Sequence, residues 1–165
     1  MDEQFELLAD PGRPGDVLRV FRERLAEGDL NGAERVIRWA MDFTPNDPGL
    51  LSGLSDVAAR KGDFDLALQS LDRAIQQNPG DVGPRFQLAQ LHLSRHDLEA
   101  AEAVLRESQA IAPEDPAVLR RLSDVAARRG DMDSALALAE SLVAKVPDAA
   151  NYGHLAAILV RKGDL

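Results

Sequence analysis

Cysteine is absent from this chain of 165 residues, so it holds neither a disulfide framework nor a thiolate metal site. Aromatic residues make up only 4%, with one tryptophan and one tyrosine, which excludes a core built on large rings and leaves packing to alanine and leucine. Long apolar runs are missing as well. Nothing reaches the roughly 18 apolar residues of a membrane span, and Met1 to Gly12 has neither the basic start nor the apolar stretch of a secretory signal. Positive charge is in short supply: 19 Lys and Arg face 28 Asp and Glu, for a formal net charge of -9. That balance argues against nucleic acid or an anionic membrane as the main partner, although a local basic patch is compatible with it. A soluble, cytoplasmic protein is the expectation.

What the chain does have is a period. Alanine stands at Ala33, Ala67, Ala101 and Ala135, proline at Pro45, Pro79, Pro113 and Pro147, and aspartate at Asp29, Asp63, Asp97 and Asp131, each series in steps of 34 residues. Glycine precedes the aspartate at Gly28, Gly62 and Gly130, His96 takes its place once, and Gly163-Asp164 opens a fifth copy one residue early. A repeat of this length is one supersecondary unit stacked on copies of itself. The frames fall at 14–47, 48–81, 82–115 and 116–148, with a partial frame at 149–165 and an acidic leader at 1–13. A hydrophobic content of 45% suffices because each unit buries its apolar face on its neighbours.

The frame from Pro48 to Asp81 shows how one copy folds. Leu51, Leu54, Ser55 and Ala58 recur at three- and four-residue steps, the mark of one helix face, and Gly62 closes that helix. Asp63 then caps a second helix that buries Phe64, Ala67, Leu68, Leu71, Ala74 and Ile75, and Pro79 ends it. Short connections force the two helices antiparallel. The alanine station is where they approach most closely.

These residues resemble the tetratricopeptide repeat family, whose signature joins a Leu-small pair on the first helix, Gly-Asp at the turn, alanine on the second helix and a closing proline. The resemblance runs from Pro14 to Leu165. It departs at Val17, Leu51, Arg85 and Leu119, which stand where tryptophan is usual, and at Ala139 and Leu142, which exchange a larger and a smaller residue. It implies an all-α fold of helical hairpins stacked as a right-handed α-solenoid, with no catalysis and no cofactor. It also implies a concave groove, lined by the first helices, that binds a peptide or helix of a partner protein.

Carrying the groove-facing stations over frame by frame gives Leu18, Arg22 and Leu25, then Ser52, Asp56, Ala59 and Arg60. Phe86, Gln90 and Leu93 follow, then Arg120, Asp124, Ala127 and Arg128, and in the last frame Gly153, Ala157, Val160 and Arg161. Arg60, Arg128 and Arg161 share one column, and guanidinium forks there suit an anionic docking strip. Asp56 and Asp124 lie one turn before Arg60 and Arg128, however, which is the spacing of a solvated intrahelical ion pair. The apolar Leu18, Leu25, Phe86 and Leu93 either accept a partner's side chains or pack on the adjacent repeat. The lysine, asparagine and arginine clamp with which some relatives hold the acidic tails of heat-shock chaperones is not reproduced, since only Arg121 fits it.

Catalytic and metal constellations fare poorly. His92 and His96 have the spacing of two ligands on one helix face, but no glutamate or third ligand accompanies them, and the repeat register accounts for both. His154 is isolated, and no serine or acid has a legible base partner. Phe43 is expected to pack beneath the second repeat, while Trp39 occupies a station that is usually polar. Phe5, Leu7 and Leu8 of the leader are expected to cap the first repeat. Leu155, Ala156, Leu159 and Val160 lack the second helix that would cover them, so this end either continues into a longer chain or supports self-association. The leading functional expectation is a protein-interaction scaffold. Its competitors are the N-terminal regulatory or targeting module of a larger bacterial enzyme, such as a glycosyltransferase or sulfotransferase, and a self-assembling structural repeat protein.

Overall fold

The computed structural model describes residues 14–163, and the expectations for Phe5, Leu7, Leu8, Asp164 and Leu165 lie outside them. The described residues form nine α-helices and no strand. They are α1 (Pro14–Ala26), α2 (Leu30–Met41), α3 (Pro48–Lys61), α4 (Phe64–Gln77), α5 (Gly83–Ser94), α6 (Leu98–Ile111), α7 (Pro116–Arg129), α8 (Met132–Lys145) and α9 (Ala149–Lys162). Among the described residues the contacts gather into two units, divided between Gln87 and Leu88. No described helix is long and apolar enough to cross a membrane.

Aspartate starts almost every helix. Asp29, Asp63, Asp97 and Asp131 accept from Gly32, Leu66, Ala100 and Ser134 amides, which satisfies donors that the first turn of a second helix leaves open. A second series, Asp47, Asp115 and Asp148, does the same for first helices through Leu50, Ala117 and Asn151 amides. At the turns, Gly62 has φ of 82° and lets the Asp63 amide reach back to the Ala58 carbonyl at 2.8 Å, closing α3 in a Schellman motif. His96 takes the same left-handed conformation at φ 60°, and the Asp97 amide bonds to the His92 carbonyl in the same way. One turn geometry therefore survives the loss of its glycine.

In the first unit, α1, α2 and α3 pack pairwise around Val17, Val20, Phe21, Val36, Ile37, Leu50 and Leu54. Gly53 sits so close to this cluster that a Cβ there would lie 3.0 Å from Ile37 Cδ1. In the second unit α8 packs between α7 and α9, around Ala126, Ala127, Ala135, Ala139 and Ile158. All four recurring alanines are completely buried. Where the family usually places tryptophan, Arg85 is buried and donates to the carbonyls of Pro79 at 2.9 Å and Asp81 at 3.2 Å, trading ring packing for hydrogen bonds to the preceding loop.

Charged links join successive repeats within each unit. Lys61 at the end of α3 reaches Glu34 on α2 at 2.6 Å, Arg129 at the end of α7 pairs with Glu102 on α6, and Lys162 at the end of α9 meets Asp133 on α8 at 3.2 Å. The Lys61 contact, with Arg38 beside it, holds the Glu34 carboxyl below its usual range.

Candidate functional site

On the first unit the expected groove residues lie along α1 and α3, which pack side by side. Leu18 and Leu25 are half-buried, and Leu25 leans on the apolar cluster. Arg22 is exposed and donates to the Leu18 carbonyl at 3.0 Å. Ser52, Asp56 and Ala59 are half-buried; Arg60 is exposed, with Nε 2.9 Å from Asp56 Oδ1. That carboxylate raises the pKa of Arg60, so its guanidinium is held as an intrahelical pair. On α5, Phe86 and Leu93 are half-buried and Gln90 is exposed.

The second unit is built differently. Arg120 donates to Asn151 Oδ1 at 3.1 Å, His154 Nε2 lies 2.9 Å from Ser123 Oγ, and Arg161 donates to the Ala127 carbonyl at 2.8 Å. These three contacts climb both helices in the same direction, so α7 and α9 run parallel. Asn151 is anchored in turn on the Val146 carbonyl at 2.9 Å. Arg161 is thus a cap, a cation on a carbonyl in the last turn of α7, where the helix dipole is negative. Ala127 does not line a groove as expected: it is only 1% exposed, and it contributes its carbonyl instead.

His154 is not isolated. Ser123 Oγ donates its one proton to the Ala135 carbonyl of α8 at 2.8 Å, so His154 Nε2 carries a proton and donates it to Ser123. The other nitrogen, Nδ1, faces Asp124 Oδ1 at 3.6 Å. Burial pushes the His154 pKa down; Asp124 opposes the shift and Arg120 adds to it. Serine, histidine and aspartate resemble a hydrolytic triad here only in composition. Ser123 is completely buried, and its proton is committed to a backbone carbonyl rather than to the imidazole, so the group is a structural joint between helices. Frame-by-frame comparison missed it because the contacts span 31 residues, not 34.

Two stretches of identical sequence behave differently. Leu-Ser-Asp-Val-Ala-Ala-Arg occurs as Leu54 to Arg60 in α3 and as Leu122 to Arg128 in α7. In the first, Asp56 binds Arg60. In the second, Asp124 turns to His154, and Arg128 is exposed with no hydrogen bond or ion pair among the described residues. The arginine column therefore holds three states: paired at Arg60, open at Arg128 and spent as a cap at Arg161.

Around this face Gly153, Ala157 and Val160 of α9 are exposed, Val160 at 61%. At the expected self-association end Leu155 and Leu159 are half-buried, and Tyr152 is exposed. Phe43 does not pack beneath the second repeat. It is 59% exposed and meets Trp39 edge-on at 5.8 Å, because Trp39 takes the place against the first-unit cluster. His92 stands 3.7 Å from Asp97, and His96 serves the turn. Among the described residues no group of three or more His, Asp or Glu is placed to hold a metal ion.

Comparison with known proteins places these hairpins in company. Models of the tetratricopeptide repeat match residues 19–82, 58–120 and 93–159. The chain is 28% identical over 147 residues to the cellulose synthase operon protein C of Pseudomonas fluorescens (strain SBW25), a match that spans 84% of this chain and 12% of that protein. Among solved structures it is similar to BtubC (BKLC) from P. vanneervenii, with a TM-score of 0.80 and 21% identity over 93% of this chain and 74% of that one. It is also similar to TTC0263, a thermophilic TPR protein of Thermus thermophilus, with a TM-score of 0.71 and 20% identity over 92% of this chain and 84% of that one. At these identities the structural likeness is one of fold.

Proposed function

Because the chain belongs to the tetratricopeptide repeat family, we propose that it is a non-catalytic interaction module whose first helices take a peptide or helix of a partner protein. The observation that carries this reading is the state of the first-helix faces. They combine half-buried apolar groups such as Leu18 and Leu25 with exposed polar ones such as Arg22, Gln90 and Arg128. Such a mixture suits a peptide whose side chains alternate between apolar seats and charge-assisted hydrogen bonds. The serine, histidine and aspartate that meet in the second unit support a structural role, since the hydroxyl proton is committed elsewhere.

A photo-cross-linking residue placed singly at Arg22, Gln90 or Arg128, and at the exposed second-helix positions Arg35, Asp72 or Glu140, tests the reading in cells. Adducts with one and the same protein from the first-helix set are the expected result. Adducts only from the second-helix set would overturn it.

A second reading is favoured by the length of the relative. This chain spans 12% of a cellulose synthase operon protein, which supports a role as one segment of a longer bacterial protein serving polysaccharide synthesis. The identity of the cross-linked partner separates the two readings.

A further inference from the structure

Charge is sorted between the two kinds of helix in the second unit. The first helices α7 and α9 carry Arg120, Arg121, Arg128, Arg129, Arg161 and Lys162 against the single carboxylate of Asp124. The second helices α6 and α8 carry Glu99, Glu102, Glu107, Asp133 and Glu140 against Arg106 and Lys145. In a chain of net charge -9, this gathers positive potential on one pair of parallel helices. Arg129 and Lys162 are drawn off to carboxylates of the preceding helices, and Arg120 and Arg161 are engaged between α7 and α9. Arg128 keeps its donors for something else.

We propose that the face shared by α7 and α9 docks an acidic peptide segment of the partner, with Arg128 gripping a carboxylate and Ala157 and Val160 seating an adjacent apolar side chain. This rests on the interaction reading above and names the chemistry of its partner. Gly153, Ala157 and Val160 follow one another at steps of four and three, and Arg161 lies four residues after Ala157, so they gather on one side of α9. Arg161 reaches the carbonyl of the residue preceding Arg128, which brings the end of that side to the turn of α7 that carries Arg128. The paired Arg60 provides an internal comparison, because an identical heptapeptide there neutralises its own arginine. In the second copy Asp124 Oδ1 lies 3.6 Å from His154 Nδ1 and makes no ion pair with Arg128 among the described residues. A planar fork of donors suits a carboxylate held bidentately. A nucleic-acid backbone fits less well, since Asp124 interrupts the positive face and aspartates cap the starts of both α7 and α9.

The test uses a fluorescein-labelled peptide of four glutamates, two leucines and four more glutamates, titrated with the full chain at about 0.15 M salt, where distant surface charges are screened. A version with lysine for glutamate and a single-stranded RNA are titrated alongside. Saturable binding of the glutamate peptide, weakened about tenfold by Arg128→Gln and unchanged by Arg60→Gln, is expected. Arg128 is exposed and makes no hydrogen bond or ion pair among the described residues, so its replacement is expected to leave folding intact, which circular dichroism checks. Equal losses in the two variants, absence of glutamate-peptide binding, or a preference for RNA would each overturn the proposal. In those cases, cross-linking from first-helix positions would still uphold the interaction reading; if it fails too, both fall.

Discussion

His154 is the side chain whose protonation has the most to say about stability. Its ring is buried against Ser123, and that burial holds its native pKa below the ordinary 6.5, which the unfolded chain retains. Between the two values the unfolded state binds a proton that the native state refuses. Stability is therefore complete above 6.5, falls as pH drops toward the native pKa, and levels off below it. His154→Gln keeps an N–H for Ser123 and removes the titration, so urea unfolding at about pH 7.5 and about pH 5.5 should show a flatter profile in the variant. An unchanged slope would place its source elsewhere. Glu34 contributes a separate loss at lower pH, because its carboxyl sits below the ordinary 4.5 and must be protonated before its bond to Lys61 is lost. Neither effect was legible in the sequence, where His154 stands alone and Glu34 is one acid among many.

At the scale of the helix, the repeat stations reported the structure well. Ala33, Ala67, Ala101 and Ala135 are all completely buried, as their recurrence on second helices requires if the paired helices are to approach closely. Replacing Ala67 with leucine forces three more carbons into the contact between α3 and α4, and a loss of roughly 1–3 kcal/mol is expected from denaturant unfolding. An unchanged transition would mean that the two helices do not meet there. The caps were only half read. Asp63 and its counterparts were plain beside their glycines, yet Asp47, Asp81 and Asp115 keep the same 34-residue step before the first helices and went unnoticed. Asp47 and Asp115 cap through their side chains, and Asp81 accepts from the Gly83 amide at 2.8 Å. A proline follows Asp47 and Asp115 directly, and that pairing is itself a helix-start signal. Phe43 failed for a different reason: two aromatic residues one turn apart compete for one apolar seat, and spacing does not decide which of them takes it.

Taken whole, the molecule is a sequence of neighbours, and periodicity was enough to give its fold class because each hairpin repeats one solution to burying an amphipathic pair. The candidate site was less legible for the same reason. Two copies of Leu-Ser-Asp-Val-Ala-Ala-Arg look interchangeable along the chain, yet the arginine is paired in one and open in the other, while Asp124 stands beside a histidine of the next first helix. A neighbour-by-neighbour construction also makes the terminal helix dispensable to the rest, unlike a helix in a central core. Within the second unit α9 meets α8 around Ile158 and Leu155 and α7 through Asn151, His154 and Arg161. Burying one such aliphatic side chain is worth about 1.5–3 kcal/mol, so deleting residues 149–165 removes a modest fraction of the total. The shortened chain is expected to keep its helical circular dichroism per residue and a cooperative transition, with Tm lowered by about 5–10 °C. It should also lose the pH dependence assigned to His154, because the ring leaves with α9 and Ser123 keeps its bond to Ala135. Collapse of the whole helical signal would show that α9 is integral to one cooperative core. A surviving slope near the histidine range would show that the buried ring does not carry the linkage.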